Sequence, residues 1–370
     1  MREIIRWQLH RLFVDQVHFF LPFSRHQRKK RLLFISENDS LCDAQLFPFF
    51  FHAKDFQDIE LRELPLQYFL SDRHPYKTHI DAICFQTWFN LPPKELEQLV
   101  QQIKVTWPDA QIAYLDWFAP TDLRYAECLD EYISAYLKKQ VLIDFSQYNR
   151  PTRGDTNLND YYANRFNLAE PEFFFKVPSD FQDKLFLGTH FAFSPRIMPY
   201  FLQPFPGDKE RSIDLHSRIS VSGSGWYRVM RQDAFDKLSS LEQHFKIACR
   251  GFVPKKQYLQ ELFSSKLCFS PFGYGEVCWR DFEAMMTGSL LLKPDMSHLD
   301  CYPNVFQPYQ TYIPLSWDLS DLDEKVDYYL RHPDERETIT RQAFQSMANY
   351  FQEQSFPQDS QPFLHRLKLV

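Results

Sequence analysis

Short apolar runs recur along the chain, separated by stretches of helical periodicity. Residues 31–36, RLLFIS, residues 79–86, HIDAICFQ, and residues 110–116, AQIAYLD, each read as a buried strand. A helix-like stretch lies near 41–53. PPKELEQLVQQIKVTWP is a helix that opens on proline, and EYISAYLKKQ near 131–140 suggests a further strand. Such alternation predicts a parallel, doubly wound sheet that ends near residue 140. A second alternation begins at SIDLHSRISVSGSG. It continues as helix 229–241, strand 245–249, helix 255–263, strand 267–270, helix 279–286 and strand 290–293. Residues 321–352 close with two helices broken at Pro333.

Two segments fall outside this pattern. Residues 3–21 place Ile5, Leu9, Leu12, Phe13, Val17 and Phe20 on one helical stripe, with Arg2, Arg6 and Arg11 opposite and RHQRKKR following. This is either a helix lying on an anionic membrane surface or a terminal helix docked on the first domain. Residues 141–210 are irregular and rich in Asn, Asp, Tyr and Pro. GDTNLNDYYANRF within them either lines a cleft between domains or forms a surface insertion. The expected division is a basic segment 1–30, a Rossmann-like domain 31–140, a linking segment 141–210, a second Rossmann-like domain 211–335, and a helical tail 336–370. The expected fold class is α/β, with the two doubly wound domains facing each other across a cleft.

The stretch 264–294, SSKLCFSPFGYGEVCWRDFEAMMTGSLLLKP, carries the densest chemistry. It reads as strand, Pro/Gly loop, helix and strand. On such a helix Glu276, Arg280 and Glu283 stand at i, i+4 and i+7, one face near the amino-terminal end. Free backbone N–H groups and the helix dipole make that end an anion site. An arginine fork there suits a diphosphate, and a glutamate one turn on accepts from sugar or ribose hydroxyls. The plainer alternative is a surface helix with an Arg–Glu pair.

Ligands of open α/β sheets bind outside the carboxyl ends of the strands. Other such ends here carry Ser222, Gly223, Ser224 and Gly225 with Arg228 or Arg231 following, then Arg250 to Val253, then Pro271 to Gly275 with Tyr274. Glycines in these loops let backbone N–H groups approach phosphate.

FSPFGYGEVCWRDFEAMMTGSLLLKPD resembles the donor-binding segment of GT-B-fold glycosyltransferases. Its pattern is that of the CgeB-like and exostosin-like branch, where Arg and then Phe-Glu-Ala-Met precede a small residue and a buried strand. The likeness runs upstream through FKIACRGFVPKKQYLQELFSSKLCFSP and downstream to YYLRHPDERETITRQA, about residues 210–350. Relatives carry a pair of glutamates here; in this chain Glu276 and Glu283 have six residues between them where seven is commoner. The resemblance implies a nucleotide-diphosphate-sugar donor and a glycan, lipid-linked or protein acceptor. It implies that Arg280 holds the diphosphate and Glu283 the hydroxyls. The loops 222–225 and 250–253 would then take the phosphates and the base, with Phe252 or Val253 packing near the base.

An inverting transfer needs an acceptor-side base. Asp116 is the favoured candidate; Glu37, Asp39, Asp155, Asp160, His190 and His216 are alternatives. Strand-end acids also cap helices, and a retaining mechanism needs no such base. No convincing D-x-D signature is present, since Asp321-Leu322-Asp323 opens a helix where acids complement the dipole. The expectation is a metal-independent enzyme with no cofactor beyond the nucleotide sugar.

Composition adjusts this picture modestly. At 370 residues the chain suits two domains. A net charge of -6 argues against general nucleic-acid binding, although residues 1–31 hold eight Lys/Arg against two acids. Only 9 Gly are present, so each glycine near a strand end gains weight. Seven Cys without a C-x-x-C pair suggest buried thiols in a reducing compartment. With no signal peptide and no long apolar run, the expected location is cytoplasmic, at most peripheral to the inner face of the membrane. No Ser-His-Asp order, P-loop, HExxH or G-x-G-x-x-G is present, which disfavours hydrolase, kinase and dehydrogenase readings. The rival from another class is a catalytically silent GT-B-like scaffold.

Overall fold

The computed structural model describes residues 21–24, 29–37, 39, 41–71, 73, 75–76, 78–207, 210–223 and 225–370. The expected basic helix at the amino terminus therefore lies outside the described residues, as does Ser224. Strands β1 (Lys30–Ser36), β2 (Ile59–Pro65), β3 (Ala82–Phe85), β4 (Gln111–Asp116), β5 (Ala135–Lys138) and β6 (Leu185–Leu187) form one parallel sheet, ordered β2-β1-β3-β4-β5-β6. The helices α1 (Asp43–Phe51) and α2 (Pro93–Thr106) belong to this half. In α2 the apolar stripe Leu96, Leu99, Val100 and Ile103 is buried, as its spacing predicts.

β2 carries no clear apolar run, because Glu60, Arg62 and Glu63 interrupt it. It forms through full pairing with β1, from Lys30 opposite Ile59 to Ser36 opposite Pro65. The segment 141–210 is also more ordered than its composition suggests. It supplies α3 (Asn157–Arg165), capped by the Thr156 side chain, and β6, the edge strand of the first sheet.

Strands β7 (Ile213–His216), β8 (Ile247–Ala248), β9 (Ser265–Phe269), β10 (Leu290–Pro294) and β11 (Ile313–Leu315) make a second parallel sheet, ordered β8-β7-β9-β10-β11. Around it stand α4 (Gly225–Leu241), α5 (Lys255–Phe263), α6 (Trp279–Thr287), α7 (Leu322–Arg331) and α8 (Pro333–Glu353). Leu215, Leu267, Leu290, Ile313 and Val326 build a core on one side of this sheet. The other side, through Phe282, Met285 and Leu291, merges with the core of the first half.

Contacts that join the halves include the following. Residues Gln140–Leu142 pair antiparallel with Leu299–Cys301. The turn Phe191–Phe193 packs on α6, with His190 stacked on Phe282 at 4.3 Å and Phe191 on Trp279 at 4.4 Å. After α8 the chain returns to the first half, where Phe356 meets Phe49 at 5.0 Å and Arg366 Nε donates to the Ser134 carbonyl at 2.8 Å.

Candidate active site

The site is organised by the start of α6. Pro271, Gly273 and Gly275 keep the preceding chain out of helix, and Cys278 takes an extended N-cap conformation. The Asp281 carboxylate reaches back to accept the Cys278 backbone N–H at 2.7 Å. The same carboxylate accepts from Ser270 Oγ at 2.6 Å and Lys293 Nζ at 3.0 Å, wholly buried. One residue thus fixes the helix to β10 and to the loop after β9. Gly288 ends the helix at φ 70°, a left-handed cap that favours glycine.

Arg280 stands on the first turn. Its Nη2 donates to the Arg218 carbonyl, while its buried Nε has no hydrogen-bond partner among the described residues. Burial works against its charge, but Tyr258, Cys268 and Glu283 outweigh burial and raise its pKa, so it stays protonated. Tyr258 donates its hydroxyl to Glu283 Oε2 at 2.8 Å.

A cavity of about 680 Å³ opens beside this turn, at the carboxyl ends of β7, β8 and β9. Four cations line it, Arg218, Arg231, Lys255 and Arg280, against one carboxylate, Glu283. Such a lining selects an anion. Gly251, at φ 72°, turns the loop after β8, and Phe252 beside it is 97% exposed, an aromatic face without protein cover. His216 is buried under Arg280 and Tyr258, with neither ring nitrogen hydrogen-bonded among the described residues. Burial, and then the Arg280 charge, push its pKa down to about 3.

Of the residues expected from sequence, Arg231, Gly251, Phe252, Val253, Arg280 and Glu283 line this cavity together. Ser222 and Gly223 lie on an exposed loop at its rim, where Ser222 Oγ bonds Ser220 Oγ at 2.8 Å, and Ser220 is the one on the wall. Arg228 is exposed and off the wall. Tyr274 also leaves the wall; its ring stacks on Tyr227 at 4.0 Å. Arg218 carries no motif of its own. It reaches the cavity because Glu261 on α5 holds its guanidinium at 2.5 and 2.8 Å.

Two expectations need correction. Glu276 does not share a helical face with Arg280 and Glu283, because the helix begins at Trp279 and Glu276 lies in the loop before it. Its buried carboxylate turns instead to the first half of the chain. It accepts from Thr121 Oγ1 at 2.7 Å, Gln140 Nε2 at 2.8 Å and Asn157 Nδ2 at 2.5 Å, with His298 Nε2 at 3.6 Å. Burial raises its pKa, but His298, Thr121 and Asn157 together outweigh burial and hold it low. Gly275 makes this approach feasible: a Cβ there would stand 1.7 Å from the Ala119 carbonyl oxygen.

Asp116 does not face the cavity either. It is 1% exposed and accepts from Lys138 Nζ at 2.6 Å, Tyr136 Oη at 2.6 Å and the Phe118 N–H at 2.9 Å. It closes the ends of β4 and β5 as an internal ion pair.

The alternatives to Asp116 scatter. Asp160 is tied to Arg150 and the Arg153 N–H. His190 is packed on Phe282, and burial brings its pKa to about 3. Glu37 follows β1 with its pKa raised, mainly by burial. Asp39 follows it, and its side chain accepts the Leu41 N–H at 2.8 Å. Asp155 lines a second cavity of about 920 Å³ in the first half, beyond the ends of β3 and β4. Phe89 and Phe174 present exposed rings there, among five carboxylates and two cations. Among the described residues, no group of three or more His, Cys, Asp or Glu is placed to hold a metal ion, and no helix is long and apolar enough to cross a membrane.

Residues 201–355 match the sequence model of a family described as "Glycosyl transferase-like". No curated protein matches the chain. Among solved structures, the chain is similar to an alpha-glucosyltransferase in complex with UDP and a 13-mer DNA containing a HMU base. That match has 8% identity and a TM-score of 0.50, over 90% of this chain and 99% of the other. A glycosyltransferase from Rickettsia africae ESF-5 matches at 10% identity and a TM-score of 0.49, over 93% and 100%. Residues 201–355 are thus similar to a glycosyl transferase-like domain, and the two parallel sheets have the GT-B fold.

Proposed function

We propose that this chain, a GT-B-fold transferase by its architecture and its glycosyl transferase-like domain, moves a sugar from a nucleotide-diphosphate-sugar donor to a saccharide acceptor, and that it belongs to the CgeB-like and exostosin-like branch. The observation that carries the donor site is the convergence of Arg218, Arg231, Lys255 and Arg280 at the amino-terminal end of α6. In the reaction, the bond from the anomeric carbon to the diphosphate oxygen breaks, an acceptor hydroxyl oxygen bonds to that carbon, and the hydroxyl proton is released to water. Negative charge gathers on the departing diphosphate, where fixed cations and the helix dipole stabilise it. Arg280, with its unpartnered Nε, takes the phosphates. Glu283, already aligned by Tyr258, accepts from ribose or sugar hydroxyls. Phe252 covers the base. The acceptor enters from the first half, where the aromatic and carboxylate-lined cavity offers ring faces and hydroxyl acceptors. Fixed cations supply the charge that a metal would, so the reading is metal-independent.

The test is donor binding by thermal shift in EDTA, with wild type and Arg280→Ala compared across nucleotide sugars. The wild type is expected to be stabilised by one nucleotide sugar, and the variant to bind it about tenfold or more weakly, with its fold intact. Near-normal affinity in the variant would remove Arg280 from the site. A second reading has one observation in its favour: among the described residues, Glu283 is the one carboxylate on the cavity wall. A silent nucleotide-binding scaffold would keep that arrangement. Slow donor hydrolysis without acceptor separates the two, because the scaffold shows none.

A further inference from the structure

Lys139 directly follows β5, at the carboxyl end of the first sheet, and is 2% exposed. Buried lysines are ordinarily paired. Its neighbour Lys138 takes the Asp116 carboxylate, and Glu276 is occupied by Thr121, Gln140 and Asn157. Lys139 makes no hydrogen bond or ion pair among the described residues. Its one specific contact is the face of Phe191, with Nζ 4.4 Å from the ring centroid. Phe191 in turn stacks on Trp279 at 4.4 Å, and Trp279 opens α6 and lines the 680 Å³ cavity. The charged or titratable groups around the amine are Lys138, Asp116, His190, Cys278 and Glu276. Cys278 is the N-cap of α6 and also lines the cavity.

A lysine amine without an ion-pair partner among the described residues thus stands behind the Phe191–Trp279 stack and within electrostatic reach of Cys278, the N-cap of α6, supplied from the opposite half of the molecule and not itself on the cavity wall. We propose that Lys139 is a donor-binding residue whose counter-ion is the diphosphate of the nucleotide sugar, so that the donor is gripped from both halves of the chain at once. This rests on the donor site proposed above and adds to it a cation that belongs to the other sheet. Burial, with Lys138 adding to it, pulls the amine down from its ordinary 10.5 to about 8. A bound diphosphate supplies the missing negative charge and restores the proton. Binding therefore takes up a proton above pH 8, and donor affinity falls as the pH rises through that value.

The experiment measures affinity for UDP-glucose, GDP-mannose and ADP-glucose by calorimetry from pH 7 to 9, in buffers of different ionisation enthalpy. The comparison is wild type against Lys139→Met and Lys139→Arg. The diphosphate diester of these probes does not titrate in this range. For the sugar that binds, the wild type is expected to lose affinity with rising pH and to take up a proton near pH 8.5. Lys139→Met should bind about tenfold to a hundredfold more weakly at pH 7 and lose the proton uptake. Lys139→Arg, permanently charged, should bind at pH 9 as it does at pH 7. Wild-type affinity that does not change across this range overturns the proposal. So does a Lys139→Met variant that matches the wild type in affinity and pH profile. Should Lys139→Met fail to fold, a Lys139→Arg variant with unchanged proton uptake overturns it equally. Absence of binding to the wild type by all three sugars overturns the donor site itself, and this proposal with it.

Discussion

Glu276 holds a carboxylate in a fully buried pocket by three donors that come from the other half of the chain. Removing the charge while keeping the shape, as Glu276→Gln does, turns an amide N–H₂ toward Thr121, Gln140 or Asn157. An unsatisfied buried donor costs about 1–3 kcal/mol, which urea denaturation would register as a lower midpoint at unchanged slope. Its depressed pKa contributes stability above the ordinary carboxylate value of 4.5 that is lost as the pH falls below it. His190 and His216 act in the same direction from higher pH. Each has a folded pKa near 3 against an ordinary 6.5, so the unfolded chain takes the proton first. Their contribution to stability is therefore full above pH 6.5 and falls as the pH drops from there toward 3. A flat unfolding free energy between pH 6.5 and 4.5 would contradict this placement of the two imidazoles.

At the scale of elements, α6 depends on Asp281 more than on its own propensity. The residue stops the helix at a defined start, anchors Ser270 of the cavity wall, and neutralises Lys293 in the core. Asp281→Ala leaves Lys293 buried without its counter-ion and the Cys278 N–H without its acceptor. The expected loss is about 3–5 kcal/mol, the scale of a broken buried pair. Because the same change releases the start of the helix, donor affinity should fall along with stability; a thermal-shift titration reads both. If stability falls while donor affinity holds, Asp281 does not set the geometry of the anion site.

At the scale of the molecule, the seam between the two halves is tightly packed where the loop before α6 meets the first half. Gly275 presses on the backbone of Ala119, and the next residue, Glu276, passes into the first half. Gly275→Ala forces the two loops apart, because the obstructing atom is a backbone carbonyl that cannot rotate away. Overpacking of this kind costs about 1–3 kcal/mol. Its signature is specific to the seam: the Glu276 hydrogen bonds loosen while the second sheet keeps its own core. Limited proteolysis of the loop between β4 and β5 would report that opening, and cleavage as slow as in the wild type would show that the seam absorbs the methyl group.

Local pattern by itself determined much of this protein. The helical stripe of α2, the strand–loop–helix–strand course of residues 264–294, and the clustering of Arg231, Gly251, Phe252, Val253, Arg280 and Glu283 at strand ends all follow from periodicity and turn chemistry within a few residues. Those rules state which face is buried and where a loop must open. They do not state which distant group a buried polar side chain will meet. Thr121 and Glu276 are 155 positions apart, and Arg218 and Glu261 are 43 apart. Asp116 reads like an exposed strand-end acid until β5 brings Lys138 beside it. β2 has too little apolar character to declare itself, and pairing with β1 creates it. Lys139 differs from any other lysine of a strand end only because its neighbours use up the available carboxylates. Tertiary structure decided these points, since pairing energy in a dry interior depends on the full set of partners that packing brings within reach.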